Sequence, residues 1–157
     1  MPGRLTPYRD TTRPVVRSIL FENVAGTPLS ELYLSREVWV IADVYGRAAM
    51  PSRHPWGSMP VSPALIRWKL TRMAGRVLRS AAAVDFRTSL PQRQDFCGVY
   101  APGAVQNFAA VPGMVRWCKP GIYPYDLTPN LPNAAQLHSG HYRFTVTATN
   151  STGIVGT

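Results

Sequence analysis

The last clear periodic stretch of the chain is YRFTVTAT, residues 142 to 149, where Tyr142, Phe144, Val146 and Ala148 alternate with Arg143, Thr145, Thr147 and Thr149. A period of two places the first set on one face of a strand and the second on the other. The same pattern recurs in ALIRWKLTR, with Ile66, Trp68 and Leu70 on one parity and Arg67, Lys69 and Thr71 on the other. REVWVIADVYG differs in being apolar on both parities, Val38, Val40, Ala42 and Val44 against Trp39, Ile41 and Tyr45. That predicts a strand covered on both faces. VVRSILF, residues 15 to 21, is rich in β-branched residues and predicts the first strand.

One stretch admits two readings. Residues 65 to 84 are rich in Leu, Arg, Met and Ala, which favour a helix. Gly75 and the strict alternation over 66 to 71 favour two strands joined by a tight turn, because glycine supplies the positive φ that such turns require. The hairpin is the expectation. LSELYLS, residues 29 to 35, predicts a short bridging strand. NSTG then predicts a turn after Thr149, and IVGT the start of a further strand that is unfinished at Thr157.

Between these elements lie proline-rich segments. Residues 48 to 63, AAMPSRHPWGSMPVSP, read as a long loop, and residues 87 to 139 read as an extended insertion without long periodic structure. Residues 1 to 14 are polar with three prolines and read as a linker, leaving 15 to 157 as one domain. A chain of 157 residues can bury a core of its own. Fifteen prolines and 12 glycines suit many short strands and turns better than helices, so the expected class is all-β.

Charge and candidate chemistry narrow the picture only slightly. The net charge is +9, with 15 arginines and two lysines among the basic residues. An anionic partner such as nucleic acid, acidic polysaccharide or a membrane surface would suit that balance. Most arginines stand alone, and no run of five basic residues occurs, so a solvated basic surface is favoured and a basic nucleic-acid or virion-associated structural protein is the lesser reading. No apolar run approaches the ~20 residues of a spanning helix, so no membrane insertion is expected. The first 19 residues lack the apolar core of a secretory signal.

No catalytic arrangement is recognisable. His54, His138 and His141 have no ligand spacing, although with Cys97 and Cys118 they could in principle assemble a zinc site. The eight acids do not cluster as a calcium loop requires, and no Gly-x-Ser-x-Gly or phosphate-binding loop occurs. The expectation is a non-enzymatic chain without metal or cofactor. Tyr100, Trp117, Tyr123 and Tyr125, with Arg116 beside them, are the candidate ligand-binding residues, because rings next to guanidinium groups can stack on sugars or bases. The same residues would equally serve to pack a long insertion onto a sheet, and packing is the favoured reading.

GHYRFTVTATNSTG resembles the end of an immunoglobulin-like β-sandwich domain of bacterial surface and secreted proteins, where a Gly-x-Tyr and an alternating run lead to a turn and a final strand. DTTRPVVRSILF is similar to the interdomain linker and first strand of such modules, and the Trp68 strand to the central strand whose tryptophan packs across the core. The resemblance covers about a third of the chain. It implies an antiparallel sandwich with long loop insertions, acting as a spacer, adhesion or interaction module of an exported multidomain protein. Its partners would be other domains of the same or another protein, with a glycan as the alternative ligand. It also implies a core of Trp68, Tyr142, Phe144 and Val146 drawn from facing strands. Tyr142 would bury its ring and bond its hydroxyl to nearby backbone. Under export, Cys97 and Cys118 would form a disulfide, worth ~3 kcal/mol by loop entropy. In a reducing compartment they would be two free buried thiols.

Overall fold

A computed structural model of the chain describes residues 9–30, 38–47, 60–73, 75–92, 95–101, 124–128 and 137–157. Seven strands occur among them: β1 (Val15–Glu22), β2 (Trp39–Tyr45), β3 (Leu65–Arg72), β4 (Val77–Asp85), β5 (Pro124–Asp126), β6 (Tyr142–Thr149) and β7 (Val155–Gly156), with one helical turn, α1 (Phe96–Val99). They form two antiparallel sheets, ordered β1-β2-β5 and β4-β3-β6-β7. The protein is all-β, as the alternation predicts.

The stretch with two readings is a hairpin. Ile66, Trp68 and Leu70 are buried while Arg67 and Lys69 are exposed, a division by twos that a helix could not make. Arg72 N–H donates to the Arg76 carbonyl at 2.9 Å, and Gly75 takes φ 89° in the turn between them. That left-handed backbone is what glycine adopts at no steric cost.

One core joins the two sheets. Val40, Ala42, Val44 and Tyr125 come from the three-stranded sheet, and Ile66, Trp68, Leu70, Val84, Val146 and Ala148 from the four-stranded one. Phe21 of β1 meets Phe144 of β6 edge to face at 6.1 Å across the gap between sheets. Trp68 and Phe144 stack at 5.6 Å. Their register places Trp68 opposite Val146 and Leu70 opposite Phe144 on adjacent strands. Trp68 and the β6 residues are therefore neighbours on one face, not partners across the core from facing strands. Val146 is buried, and Tyr142 and Phe144 are half-buried against the cluster.

Two expected boundaries move. Residues 87 to 139 were expected as an insertion, but they contain β5, and Tyr125 and Leu127 are fully buried. Ala42 pairs with Tyr125, and Leu127 N–H donates to the Val40 carbonyl at 2.9 Å. A strand of three residues is too short to display alternation. Pro124 is tolerated there because β5 closes one side of its sheet, where a missing N–H breaks no ladder. The outer side of β5 takes a bridge from Tyr100 to Tyr125, and Ala101 N–H donates to the Pro124 carbonyl at 2.9 Å.

The linker expected at 1 to 14 also ends earlier, since Asp10 and Pro14 are buried. The long loop returns to the fold through a Gly46–Val61 bridge, while its residues 48 to 59 lie outside the described ones. Of the expected bridging strand, only Leu29 and Ser30 are described; Leu29 N–H donates to the Phe21 carbonyl at 2.7 Å.

Candidate functional site

The aromatic residues proposed for ligand stacking divide. Tyr100 and Tyr125 are core residues, 4% and 0% exposed, with ring centroids 5.0 Å apart. Phe86 extends the group, its ring 6.4 Å from that of Tyr100. The Tyr125 hydroxyl shares a 2.7 Å hydrogen bond with Ser62, whose hydroxyl lies 3.1 Å from the Pro63 carbonyl it donates to. These two tyrosines are therefore not exposed for stacking on a ligand; as in the favoured packing reading, they hold segment 95–101 and β5 on the sheet. Burying a ring of this size removes far more apolar surface from water than an exposed platform would. Trp117, Tyr123 and Arg116 lie outside the described residues, as do Cys118 and the side chain of Cys97.

Among the described residues the titratable groups form no reactive cluster. No group of three or more His, Cys, Asp or Glu side chains could hold a metal ion among the described residues. His138 and His141 are exposed, and the Tyr142 hydroxyl donates to the His138 carbonyl. Asp43 faces Arg17 at 3.6 Å; burial pushes its carboxyl above the usual range, and the Arg17 charge partly offsets this. Asp85 is held in the opposite direction, its pKa lowered to about 2 chiefly by hydrogen bonds from Arg87. Both guanidinium contacts are short, Nε to Oδ1 at 2.8 Å and Nη2 to Oδ2 at 2.7 Å. A shallow cavity of about 200 Å³ beside this pair is lined by Val84, Asp85, Phe86, Leu90 and Val99. Its one charged wall is already neutralised, which leaves little to orient a polar substrate.

Two arrangements escaped sequence reasoning. The first is a polar clasp at the edge of the molecule. Asn150, 5% exposed, donates through Nδ2 to the Asp10 carbonyl at 3.0 Å and the Thr12 carbonyl at 2.8 Å. Its Oδ1 accepts from the N–H groups of Thr152 and Ile154 at 3.0 and 2.9 Å, and from the Thr152 hydroxyl at 2.9 Å. The Thr152 hydroxyl also contacts the Asp10 carbonyl. Asp10 Oδ1 in turn accepts from Thr12 N–H at 2.9 Å and from its hydroxyl at 2.6 Å. Four residues on, Gly156 lies so near Pro14 that a Cβ there would run into the Pro14 carbonyl. Residues 10–14 and 152–156 thus run side by side in the same direction. A turn was legible in NSTG; the role of Asn150 in it and its long-range partners were not.

The second arrangement is the solvent face of the four-stranded sheet. Arg67 and Lys69 are exposed on β3, and Arg143 is exposed on β6. Register places Thr147 opposite Arg67, Thr145 opposite Lys69 and Thr71 opposite Arg143. Each cation therefore faces a hydroxyl across the two strands, while Arg67 and Lys69 follow one another along β3. Residues that stand 74 apart in sequence, Lys69 and Arg143, become diagonal neighbours on adjacent strands, about 7–8 Å apart.

Comparison of this chain with protein-family models, with curated proteins and with solved structures returns no match. The functional reading therefore rests on the fold and on these surfaces.

Proposed function

We propose that the chain is a non-catalytic, immunoglobulin-like β-sandwich module acting as a spacer or interaction domain in an exported multidomain bacterial protein. The observation that carries this reading is the strand order. β2 to β3, β4 to β5 and β5 to β6 each pass from one sheet to the other, while β1–β2, β3–β4 and β6–β7 remain neighbours. Sandwiches of that kind distribute consecutive strands over two sheets by Greek-key connections. The first and last strands lie at sheet edges, and the chain leading into β1 meets the end of β7 where Pro14 touches Gly156. The hydroxyl bond from Tyr142 to the His138 carbonyl, four residues upstream, has the form of the tyrosine corner of such domains.

The clasp adds a functional argument. It fixes the direction in which the chain enters the domain, because the backbone carbonyls of Asp10 and Thr12 are held by Asn150. A spacer needs such a junction, since slack at each boundary would leave successive domains free to reorient. The glycan-binding alternative through residues 97–125 loses Tyr100 and Tyr125 to the core.

The test is where the protein stands and in which redox state. An antibody against this chain should label intact cells, and thiol titration of the unfolded, unreduced protein should find no free sulfhydryl, as a Cys97–Cys118 bridge requires. Labelling only after lysis, together with two titratable thiols, would overturn export and the bridge.

A further inference from the structure

We infer that the solvent face of the four-stranded sheet is a binding surface for a linear acidic polysaccharide, held by Arg67, Lys69 and Arg143. The inference deepens the reading of the chain as an interaction module by giving one of its faces a partner. Its support is independent of the aromatic segment considered above.

Three observations carry it. First, no salt bridge occupies these cations among the described residues, where Arg17 and Arg87 each make one, although Arg67 acts on Asp85 at longer range. The single carboxylate on the strands of this sheet, Asp85, is already held by Arg87. Second, like charges have been placed together. Arg67 and Lys69 are two residues apart on one face of β3, about 7 Å by strand geometry. Arg143 lies diagonally from Lys69 on the next strand. Such a cluster gains nothing for the fold, since cations on neighbouring positions of one face repel each other. Third, hydroxyls fill the positions between them. Thr145 and Thr147 oppose Lys69 and Arg67 from one side, and Ser80 opposes Lys69 from the other.

The chemistry of the partner follows from this surface. Guanidinium groups pair with carboxylate or sulfate in a bidentate fork, and an ammonium pairs with either as a point charge. Serine and threonine hydroxyls both donate and accept, as do the hydroxyls of a sugar. A single-stranded nucleic acid is served less well, because its bases need ring faces to stack on. The outward positions of β3, β4 and β6 carry none: on β3 and β6 they are Arg67, Lys69, Thr71, Arg143, Thr145 and Thr147. A duplex is read by an element that enters its major groove. Here β3 is flanked by β4 and β6, so the β3–β4 ribbon is not free to enter one.

The test measures binding of the whole chain to a polyuronate and to a sulfated glycosaminoglycan, with a 20-base-pair duplex DNA and anionic phospholipid vesicles as comparisons. One variant combines Arg67→Ala, Lys69→Ala and Arg143→Ala. A second, Arg9→Ala with Arg13→Ala and Arg17→Ala, removes the same charge from exposed positions on the chain leading into and along the other sheet. Binding to an acidic glycan is expected, falling about tenfold or more between 50 and 200 mM salt. The first variant should lose at least tenfold in affinity and the second less than threefold. Equal losses in both variants would reduce the effect to net charge and overturn the site. Preferential binding to duplex DNA or to vesicles would overturn the partner class, and no binding to any probe would overturn the proposal. None of these results bears on cell-surface labelling or thiol state, so the proposal and the module reading fail separately.

Discussion

Asn150 shows how much of this fold depends on a single polar side chain. It is buried and uses both its donor and its acceptor atoms, bridging the β6–β7 turn to the backbone of Asp10 and Thr12. Asn150→Ala would leave two backbone carbonyls and two N–H groups without that partner at a buried site. A cost of about 3 kcal/mol is expected, since each stranded group costs on the order of 1–3 kcal/mol and some would recover water. Urea denaturation checks it; a loss below about 1 kcal/mol would mean the clasp is solvated. Asp43 predicts the opposite sign. Burial raises its folded-state pKa above the unfolded value, so the folded protein binds the proton more tightly. Stability then falls as pH rises from about 4 through the raised value, and levels off above it. Asp43→Asn should raise Tm at pH 7 and lose that advantage below about pH 4. A lower Tm at pH 7 would show that the Arg17 ion pair outweighs desolvation.

Among the elements, β1 to β4, β6 and the start of β7 were legible from sequence, and β5 was not. β3 and β6 were readable because Ile66, Trp68 and Leu70, like Phe144, Val146 and Ala148, recur every second position. β5 was hidden because Pro-Tyr-Asp has no periodicity, and its role comes from Tyr125 filling the core beside Ala42. Tyr100 was open to two readings for a related reason: composition does not distinguish a ring that stacks on a ligand from one that stacks on Tyr125. The alternating face gave Arg67 and Lys69 as solvent-facing, but their proximity to Arg143 depends on which strands become neighbours, a long-range fact. Two glycines test local geometry against packing. Gly75 needs its positive φ but faces open space, so Gly75→Ala should cost about 1 kcal/mol through backbone strain alone. Gly156→Ala instead meets the Pro14 carbonyl, and backbone must move to admit it. A loss of about 1–3 kcal/mol is expected there, as for overpacked sites. Equal effects in thermal melts would show that β7 and Pro14 can separate freely.

For the molecule as a whole, the two sheets are held together from the inside by the shared core and from the edge by the clasp. The core was foreseeable in composition and parity; the clasp was not, because it joins residues 140 and 138 positions apart. This division makes a prediction about cooperativity. If residues 10–12 were only a linker, removing the chain through Thr12 would leave Tm unchanged. Since they supply the carbonyls that Asn150 holds, the truncation should lower stability by about 2–3 kcal/mol while keeping a single unfolding transition. The same bonds are lost in Asn150→Ala, so the two changes should not add: the double variant should fall at least 1 kcal/mol short of the sum of the singles, as neighbours in one network do. Strict additivity would mean that Asn150 stabilises its own turn alone and that the incoming chain is free. It would remove the rigid junction on which the spacer reading draws, and leave the basic face as the better guide to what the molecule does.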